Sequence, residues 1–169
     1  ARMLRRTFPA LDPDRLHPED RLIAIGHADV VVLGMGRLGC AVYHHLVEEY
    51  GLEVLGVESD ATRVHALQHK GRDVIEGDAT DPLFWERVKQ AGSVQLAILA
   101  MPFHGSNMAA LRELELSKFN GAVAAVARYE DEESQLGESV DAVLGLYEAA
   151  GRELADQAVE SSGLADGIR

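Results

Sequence analysis

Two hydrophobic periods alternate along this chain, one typical of strands and the other typical of helices. A continuous apolar run, Val30–Leu33, precedes the segment Arg37–Tyr50, in which apolar residues recur at helical spacing. A longer continuous run, Val94–Met101, is typical of a central parallel strand that is covered on both faces. The pattern therefore predicts strands and helices in alternation.

This alternation continues through the chain and predicts six strands and six helices. The predicted strands are Val30–Leu33, Leu52–Val57, Asp73–Glu76, Val94–Met101, Ala122–Ala127 and Val140–Leu144. The predicted helices are Arg37–Tyr50, Ala61–Lys70, Pro82–Ala91, Asn107–Lys118, Tyr129–Gly137 and Leu146–Ser162. Strands that alternate with helices form a doubly wound parallel sheet, so the predicted fold class is α/β, a single Rossmann-like domain.

The third predicted helix has the clearest start signal. Thr80 or Asp81 can cap it, and a proline stands at its first position. We expect Leu83 to be buried. Of the adjacent Phe84 and Trp85, we expect one in the core and the other open to a dimer contact.

The chain divides into three parts. Residues 1–26 contain three prolines among charged residues, which disfavours a long helix and indicates an arm or linker. Residues 27–145 carry the alternating pattern, and residues 146–169 form a C-terminal helix. Because the first residue is not methionine, we expect the chain to be a fragment of a longer protein.

Composition narrows the classes of partner. The 169 residues have a formal net charge of -12, which argues against nonspecific binding to nucleic acid or to an anionic membrane surface. No apolar run reaches the roughly 18 residues that a membrane span needs, so no direct membrane insertion is expected. Cys40 is the only cysteine, which excludes an internal disulfide and fits a reducing compartment.

The main candidate site is the glycine-rich turn between the first strand and the first helix. Gly34 can turn the chain, Gly36 lets the backbone approach a pyrophosphate, and Gly39 lets the helix sit close to the strand. The helix then offers its free N–H groups and the positive end of its dipole to phosphates. This arrangement predicts a nucleotide site.

Glu58 ends the second strand, where an acidic residue is placed to bind the ribose hydroxyls of an adenosine. It would repel a 2′-phosphate, and no arginine follows it immediately. Arg63 lies one turn into the next helix, and we expect it to point to solvent. These residues favour NAD(H) or an AMP-type ligand over NADP(H), but they do not separate NAD from AMP or ATP.

Catalytic and metal-binding patterns are weak. None of the four tyrosines has a lysine four residues later, so the YxxxK pair of short-chain dehydrogenases is absent. His65 and His69 share a helical face, but no third ligand joins them at a known spacing, so no metal site is predicted. A soluble NAD-dependent oxidoreductase and a stand-alone nucleotide sensor remain possible functions for a chain with these residues.

Three motifs together resemble a known family. The sequences VVVLGMGRLG, VESD and VIEGDATD resemble the RCK, or TrkA-N (KTN), domains, which regulate potassium channels and transporters from the cytoplasmic side. Within that family the likeness is greatest to the C-terminal domains of the glutathione-gated potassium efflux (Kef) antiporters. Asn107, the ending Ala127–Glu130 of the fifth strand and the long last helix also fit that group.

The resemblance implies a binding role for each matching residue. The phosphates would be held by the turn residues Gly34, Met35, Gly36, Arg37, Leu38 and Gly39. The ribose would be bound by Glu58, with Ser59 beside it, and Met101 and Pro102 would close one wall. The adenine pocket would be lined by Asp78, Ala79 and Thr80, with Asp78 accepting from the exocyclic amine. Asn107 and Arg128 would face the cleft where Kef proteins bind glutathione across a dimer.

The function implied by this resemblance is regulation without catalysis. We expect a domain on the cytoplasmic side of the inner membrane that binds AMP or NAD(H), with glutathione as a further effector. It would gate a membrane transporter domain, of the same or a partner chain, by conformational change. The expected unit is a homodimer.

Overall fold

A parallel sheet of buried aliphatic strands forms the centre of this protein, whose structure, a computed structural model, describes residues 25–164. The strands are β1 (Val30–Leu33), β2 (Val54–Glu58), β3 (Val74–Glu76), β4 (Leu96–Leu99), β5 (Ala122–Ala127) and β6 (Ala142–Gly145). The helices are α1 (Arg37–Tyr50), α2 (Ala61–Gln68), α3 (Pro82–Ala91), α4 (His104–Ser117), α5 (Glu130–Gly137) and α6 (Leu146–Ser162). Most of the predicted arm, residues 1–24, lies outside the described residues.

The strand order places a topological switch point at the middle of the sheet. The order is β3-β2-β1-β4-β5-β6, and every pair is parallel. The first half of the chain therefore builds outward from β1 in one direction and the second half builds outward from β4 in the other. This arrangement confirms the predicted Rossmann-like, doubly wound sheet, and ligands of such sheets bind outside the carboxyl ends of the strands at this point.

The two faces of the sheet carry separate apolar clusters. Alternating side chains of β1 reach both of them, with Val31 and Leu33 in one and Val30 and Val32 in the other. Helices α1 and α2 cover the second cluster, and α3, α4 and α5 cover the first. Because both faces are covered, β1 is a continuous apolar run, as the sequence predicts.

Aspartates cap the two helices that follow β2 and β3. The Asp60 side chain accepts from the N–H groups of Thr62 and Arg63, and the Asp81 side chain accepts from Leu83 N–H. Of the two predicted caps for α3, Asp81 is therefore the one used. These caps fix where the loops after β2 and β3 end.

The bounds of the fourth strand and of the fourth helix differ from the sequence prediction. The strand β4 is shorter than predicted because its register is set by β1, with Val30 opposite Leu96 and Leu33 opposite Leu99. The helix α4 begins at His104 and not at Asn107, since Ser106 and Asn107 both donate to the Phe103 carbonyl.

The prediction for the apolar residues of α3 was wrong in two respects. Phe84 and Trp85 are both buried, with ring centroids 4.9 Å apart in an edge-to-face arrangement. Leu83, by contrast, is 57% exposed. Helix α3 packs beside α4 on the same apolar cluster, and two of its adjacent side chains share the core. Its buried face is therefore wider than a narrow helical stripe indicates.

Asp73 gives the fold a pH dependence. Partial burial, with the nearby Glu53 as a lesser cause, raises the pKa of Asp73 above its ordinary value of 3.8. The folded state therefore prefers the protonated form, and stability is lost as the pH rises from that ordinary value through the raised pKa. We expect Asp73→Asn to raise the melting temperature at neutral pH. The gain should vanish near pH 3, where the carboxyl is protonated in both states.

The measurement for Asp73→Asn is thermal unfolding by circular dichroism at both pH values. Glu76→Gln, a change of the same kind on an exposed residue at the end of β3, is the control. An equal gain at neutral and acid pH would contradict the assignment.

Candidate functional site

A cleft of about 280 Å³ opens at the carboxyl ends of the first four strands, beside the switch point. It is lined by Gly34, Val57, Glu58, Ser59, Arg63, Gly77, Asp78, Ala79, Thr80, Met101, Pro102, Phe103 and Ser106. The loops after β1, β2, β3 and β4 therefore meet in one place, as expected for a parallel sheet. A larger hollow, of about 410 Å³, lies at the opposite edge of the sheet between the carboxyl ends of α3 and α4, and none of the predicted site residues lines it.

The glycine-rich turn is built by two close approaches and one open space. Gly34 has φ of +91°, and a Cβ there would lie 2.8 Å from Met101. A Cβ at Gly39 would collide with the carbonyl oxygen of Gly34. At Gly36 the nearest atom to such a Cβ is Nη1 of Arg63, at 4.0 Å, so the backbone there is open to a ligand.

The first turn of α1 can receive an anion. Its N-cap is Gly36, and within residues 25–164 no side chain caps it. Its leading N–H groups lack partners inside the helix, and the positive end of the helix dipole lies here. These donors and the open backbone at Gly36 fit the phosphates of a nucleotide.

The three side chains of this turn lie apart from the cleft. Met35 is buried and packs against Gly56 in the core. Leu38 packs against the same apolar cluster, and Arg37 is exposed and does not line the cleft. The turn therefore presents backbone, and the phosphate-binding roles of Met35, Arg37 and Leu38 stay predictions.

Glu58 ties the loop after β1 to the loop after β2. It is only 8% exposed. Its Oε2 accepts from Met35 N–H at 3.2 Å, and its Oε1 accepts from the N–H groups of Ser59 and Asp60 at 3.0 and 3.2 Å. The carboxylate thus lines the cleft while backbone donors hold it in place.

Arg63 was predicted to point to solvent, and it is exposed, but the prediction missed that its end also contacts Glu58. Its Nη1 lies 3.4 Å from Oε2 of Glu58, and the side chain lines the cleft. The residue is five positions after Glu58, on the first turn of α2, and the Asp60 cap starts that helix beside the cleft. A pattern of apolar positions carries no information on how a long arginine side chain folds back, so sequence reasoning missed it.

The predicted adenine wall is a turn supported from behind by Trp85. Asp78 Oδ1 accepts from the N–H and the hydroxyl of Thr80 at 2.8 and 2.7 Å. The Ala79 carbonyl accepts from Trp85 Nε1 at 2.8 Å, and Ala79 itself is nearly buried. Trp85 is therefore a positioning residue for this wall. From the sequence, Trp85 was expected only in the core or at a dimer contact.

Asn107 lies beneath the loop after β4 and not on the surface of the cleft. It is 2% exposed, its Oδ1 accepts from Met101 N–H at 3.1 Å, and its Nδ2 donates to the Met101 carbonyl at 3.2 Å. Both of its polar atoms therefore hold the backbone of Met101, which together with Pro102 lines the cleft as predicted.

Arg128 follows β5, and the structure does not bring it to the cleft. Its N–H donates to Glu132 Oε2 at 2.7 Å, which links the end of β5 to α5.

The part of the chain from 25 to 164 contains no helix long and apolar enough to cross a membrane. Among the same residues no three His, Cys, Asp or Glu side chains are grouped as metal ligands would be.

Comparison with known proteins identifies both the family and the fold. The TrkA-N domain family matches residues 30–146, and no curated protein matches the chain. The NAD(P)-binding domain of an exopolyphosphatase-related protein from Archaeoglobus fulgidus superposes with a TM-score of 0.71 at 17% identity, covering 79% of this chain and 98% of that one.

Two further solved structures that share the fold carry a nucleotide. The AMP-bound Kef CTD of Shewanella denitrificans superposes with a TM-score of 0.64 at 18% identity, covering 79% of this chain and 80% of that one. The GsuK channel bound to NAD superposes with a TM-score of 0.68 at 18% identity, covering 83% of this chain and 25% of that one. At these identities the likeness shows a shared fold.

The hydrogen bonds of Asn107 lead to a prediction about stability. We expect Asn107→Ala to lower the free energy of unfolding by about 1–3 kcal/mol, because the N–H and carbonyl of Met101 lose their partners. Asn107→Asp should also destabilise, since a carboxylate oxygen would face the Met101 carbonyl. Urea unfolding measures both, with the exposed Asn120→Ala as control. Equal stability of Asn107→Ala and the control would refute this role.

Proposed function

The chain belongs to the TrkA-N domain family, and we propose on this basis that it is a regulatory domain of a potassium efflux or transport system. It binds an adenine nucleotide, AMP or NAD(H), and gates a membrane transporter domain by conformational change. That transporter domain belongs to the same chain or to a partner chain, and the regulatory domain lies on the cytoplasmic side of the inner membrane.

The observation that carries the proposal is the meeting of three features at the carboxyl ends of β1, β2 and β3. The Glu58 carboxylate and the turn Asp78–Thr80 line the cleft, where they suit ribose hydroxyls and an adenine ring. Gly36, whose open backbone suits phosphates, lies beside the cleft residue Arg63. These features follow one another across the strand ends of β1, β2 and β3. Phosphate, ribose and base occur in the same order in an adenine nucleotide.

The size of the cleft and the charge of Glu58 both bear on the class of nucleotide that binds. Its volume of about 280 Å³ lies just below the usual range of small-molecule pockets, roughly 300–1,000 Å³. A space of this size suits the adenosine monophosphate half that AMP and NAD(H) share. Glu58 disfavours a 2′-phosphate, so AMP and NAD(H) are preferred over NADP(H).

The residues that line the cleft fit binding better than catalysis. The charged side chains of the cleft are Glu58, Arg63 and Asp78, and Glu58 and Arg63 contact each other. Asp78 accepts two hydrogen bonds from Thr80. An oxidoreductase needs an acid or base beside the substrate. Steady hydride transfer from NADH to a substrate would favour that alternative.

Gating follows from differential affinity. A nucleotide that contacts the loops after β1, β2 and β3 together binds more tightly to the arrangement of the domain in which all three loops can contact it at once. Such a ligand shifts the population of the attached membrane part by the difference between its affinities for the two arrangements. In this scheme residues 27–145 bind the nucleotide, 1–26 form the arm or linker, and 146–169 form the C-terminal helix.

The last helix supports a homodimer. None of the 17 residues of α6 is buried, and Leu154 is 68% exposed. Most of the stability of a helix in a protein comes from packing its apolar face, and α6 buries none of its side chains in the part of the chain that the structure describes. Tyr147 at its start and Tyr129 before α5 are also exposed, with ring centroids 6.1 Å apart. A second copy of the chain covers these apolar groups, and the loops at the cleft edge add to the same interface.

Glutathione is a second proposed effector, bound at the dimer cleft as the resemblance to Kef domains implies. Arg128 supports it, because the residue directly follows β5, at the same edge of the sheet as the nucleotide cleft although outside its lining. Asn107 supports it only indirectly, through the loop that it holds.

The ribose assignment is testable with matched ligands. We expect the wild-type domain to bind AMP in calorimetry and to bind 2′,3′-dideoxy-AMP at least about tenfold more weakly, because the ribose hydroxyls no longer donate to Glu58. Glu58→Ala should bind both ligands with the same low affinity. Thermal unfolding checks that the variant is folded. If Glu58→Ala keeps the preference for AMP, the ribose lies elsewhere. If no adenine nucleotide binds the wild type, the proposed function fails.

The dimer is testable by charge insertion on α6. We expect the wild-type domain to sediment as a dimer and Leu154→Glu to sediment as a monomer, since a carboxylate cannot enter an apolar interface without a partner. Leu116→Glu, the same change at an exposed leucine near the carboxyl end of α4, is the control and should leave the dimer intact. Identical sedimentation of both variants would contradict the α6 interface.

A further inference from the structure

Arg63 stands between two of the features that make up the nucleotide cleft. Its Nη1 lies 3.4 Å from Glu58 Oε2 and is the nearest atom to the open side of Gly36, 4.0 Å from where a Cβ would be. The side chain is 49% exposed, so the guanidinium borders the cleft and is not locked in the core. The Arg63 guanidinium therefore reaches both Glu58, which is proposed to bind the ribose, and the glycine-rich turn at Gly36, which is proposed to bind phosphate.

Two side-chain contacts to the Glu58 carboxylate are replaceable, that of Arg63 and that of the Ser59 hydroxyl at 3.5 Å, and the Arg63 contact is the one to Oε2. Backbone N–H groups of Met35, Ser59 and Asp60 hold Glu58 at 3.0–3.2 Å. The Arg63 contact is longer and comes from a flexible side chain. A ligand can take its place without opening the backbone of either loop.

We propose that Arg63 binds the 5′-phosphate of the nucleotide. The inference rests on the proposed function, which it deepens by naming the residue that recognises the phosphate. When the nucleotide binds, its ribose hydroxyls donate to Glu58 in place of the guanidinium. The guanidinium then donates to the phosphate oxygens, and the exchange leaves both charged groups with partners. Hydrogen bonds between ionised groups of this kind are short and strong, and the planar guanidinium suits a phosphate.

The position of Arg63 favours the 5′-phosphate over a 2′-phosphate. Gly36 is the point at which the chain lets a phosphate approach the backbone, and Arg63 stands over that point. Arg37, the arginine within the turn itself, is exposed like Arg63, but only Arg63 lines the cleft and contacts Glu58. The two arginines are therefore competing assignments for the same phosphate, and the geometry favours Arg63.

The test compares three ligands on four proteins. Calorimetry measures adenosine, 5′-AMP and 2′-AMP against wild type, Arg63→Gln, Arg37→Gln and Arg112→Gln, the last an exposed arginine of α4 as control. We expect Arg63→Gln to weaken 5′-AMP by about tenfold or more while adenosine changes by less than about twofold. Arg37→Gln and Arg112→Gln should leave the affinity for 5′-AMP near that of the wild type. Arg63→Lys keeps the positive charge but lacks the planar guanidinium with its paired N–H donors. It should therefore bind 5′-AMP more tightly than Arg63→Gln and more weakly than the wild type.

Several outcomes overturn the assignment. An equal loss of adenosine and 5′-AMP would mean that Arg63 acts only by holding Glu58. An equal loss of 2′-AMP and 5′-AMP would mean a general effect of charge, and a loss confined to 2′-AMP would place the residue at the 2′ position. Unchanged 5′-AMP binding in a folded Arg63→Gln protein refutes the inference and leaves the proposed function standing. Absence of 5′-AMP binding by the wild type refutes both.

Discussion

The close approach of α1 to the end of β1 is the constraint on which the cleft depends. A side chain at Gly39 would collide with the carbonyl of Gly34, and a side chain at Gly34 would overlap Met101. Because both positions lack a side chain, the helix begins directly beside the strand and its leading N–H groups face the space above Gly36. Larger residues would move the helix away from the sheet and remove the anion-binding geometry at the switch point.

Glu58 extends this constraint from one loop to its neighbour. By accepting from the backbone of Met35 as well as from Ser59 and Asp60, the carboxylate fixes the spacing between the loops after β1 and β2. The carboxylate is thereby held in place by the protein before any ligand arrives. The same side chain thus connects the spacing of the two loops with the proposed recognition of the ribose.

Local signals in the sequence predict the framework, and tertiary contacts decide the details. The bounds of α1 follow from the glycine turn before it and from Gly51, whose φ of +64° ends it. The role of Arg63 depends on a side chain that folds back over a turn of helix, and that of Asn107 on the backbone of Met101. Neither contact produces a periodic pattern of apolar residues that could be recognised in the sequence. The burial of both Phe84 and Trp85 likewise depends on how deeply α3 packs.

The indole behind the proposed adenine wall, the turn Asp78–Thr80, gives the protein an intrinsic fluorescent probe. The chain contains a single tryptophan, so all of its tryptophan fluorescence arises from Trp85. That side chain is buried and bonded through Nε1 to the carbonyl of Ala79, one residue away from Asp78 at the cleft. The protein therefore carries a built-in optical probe directly behind the site, whose emission responds to any shift of the turn after β3 without a label being attached.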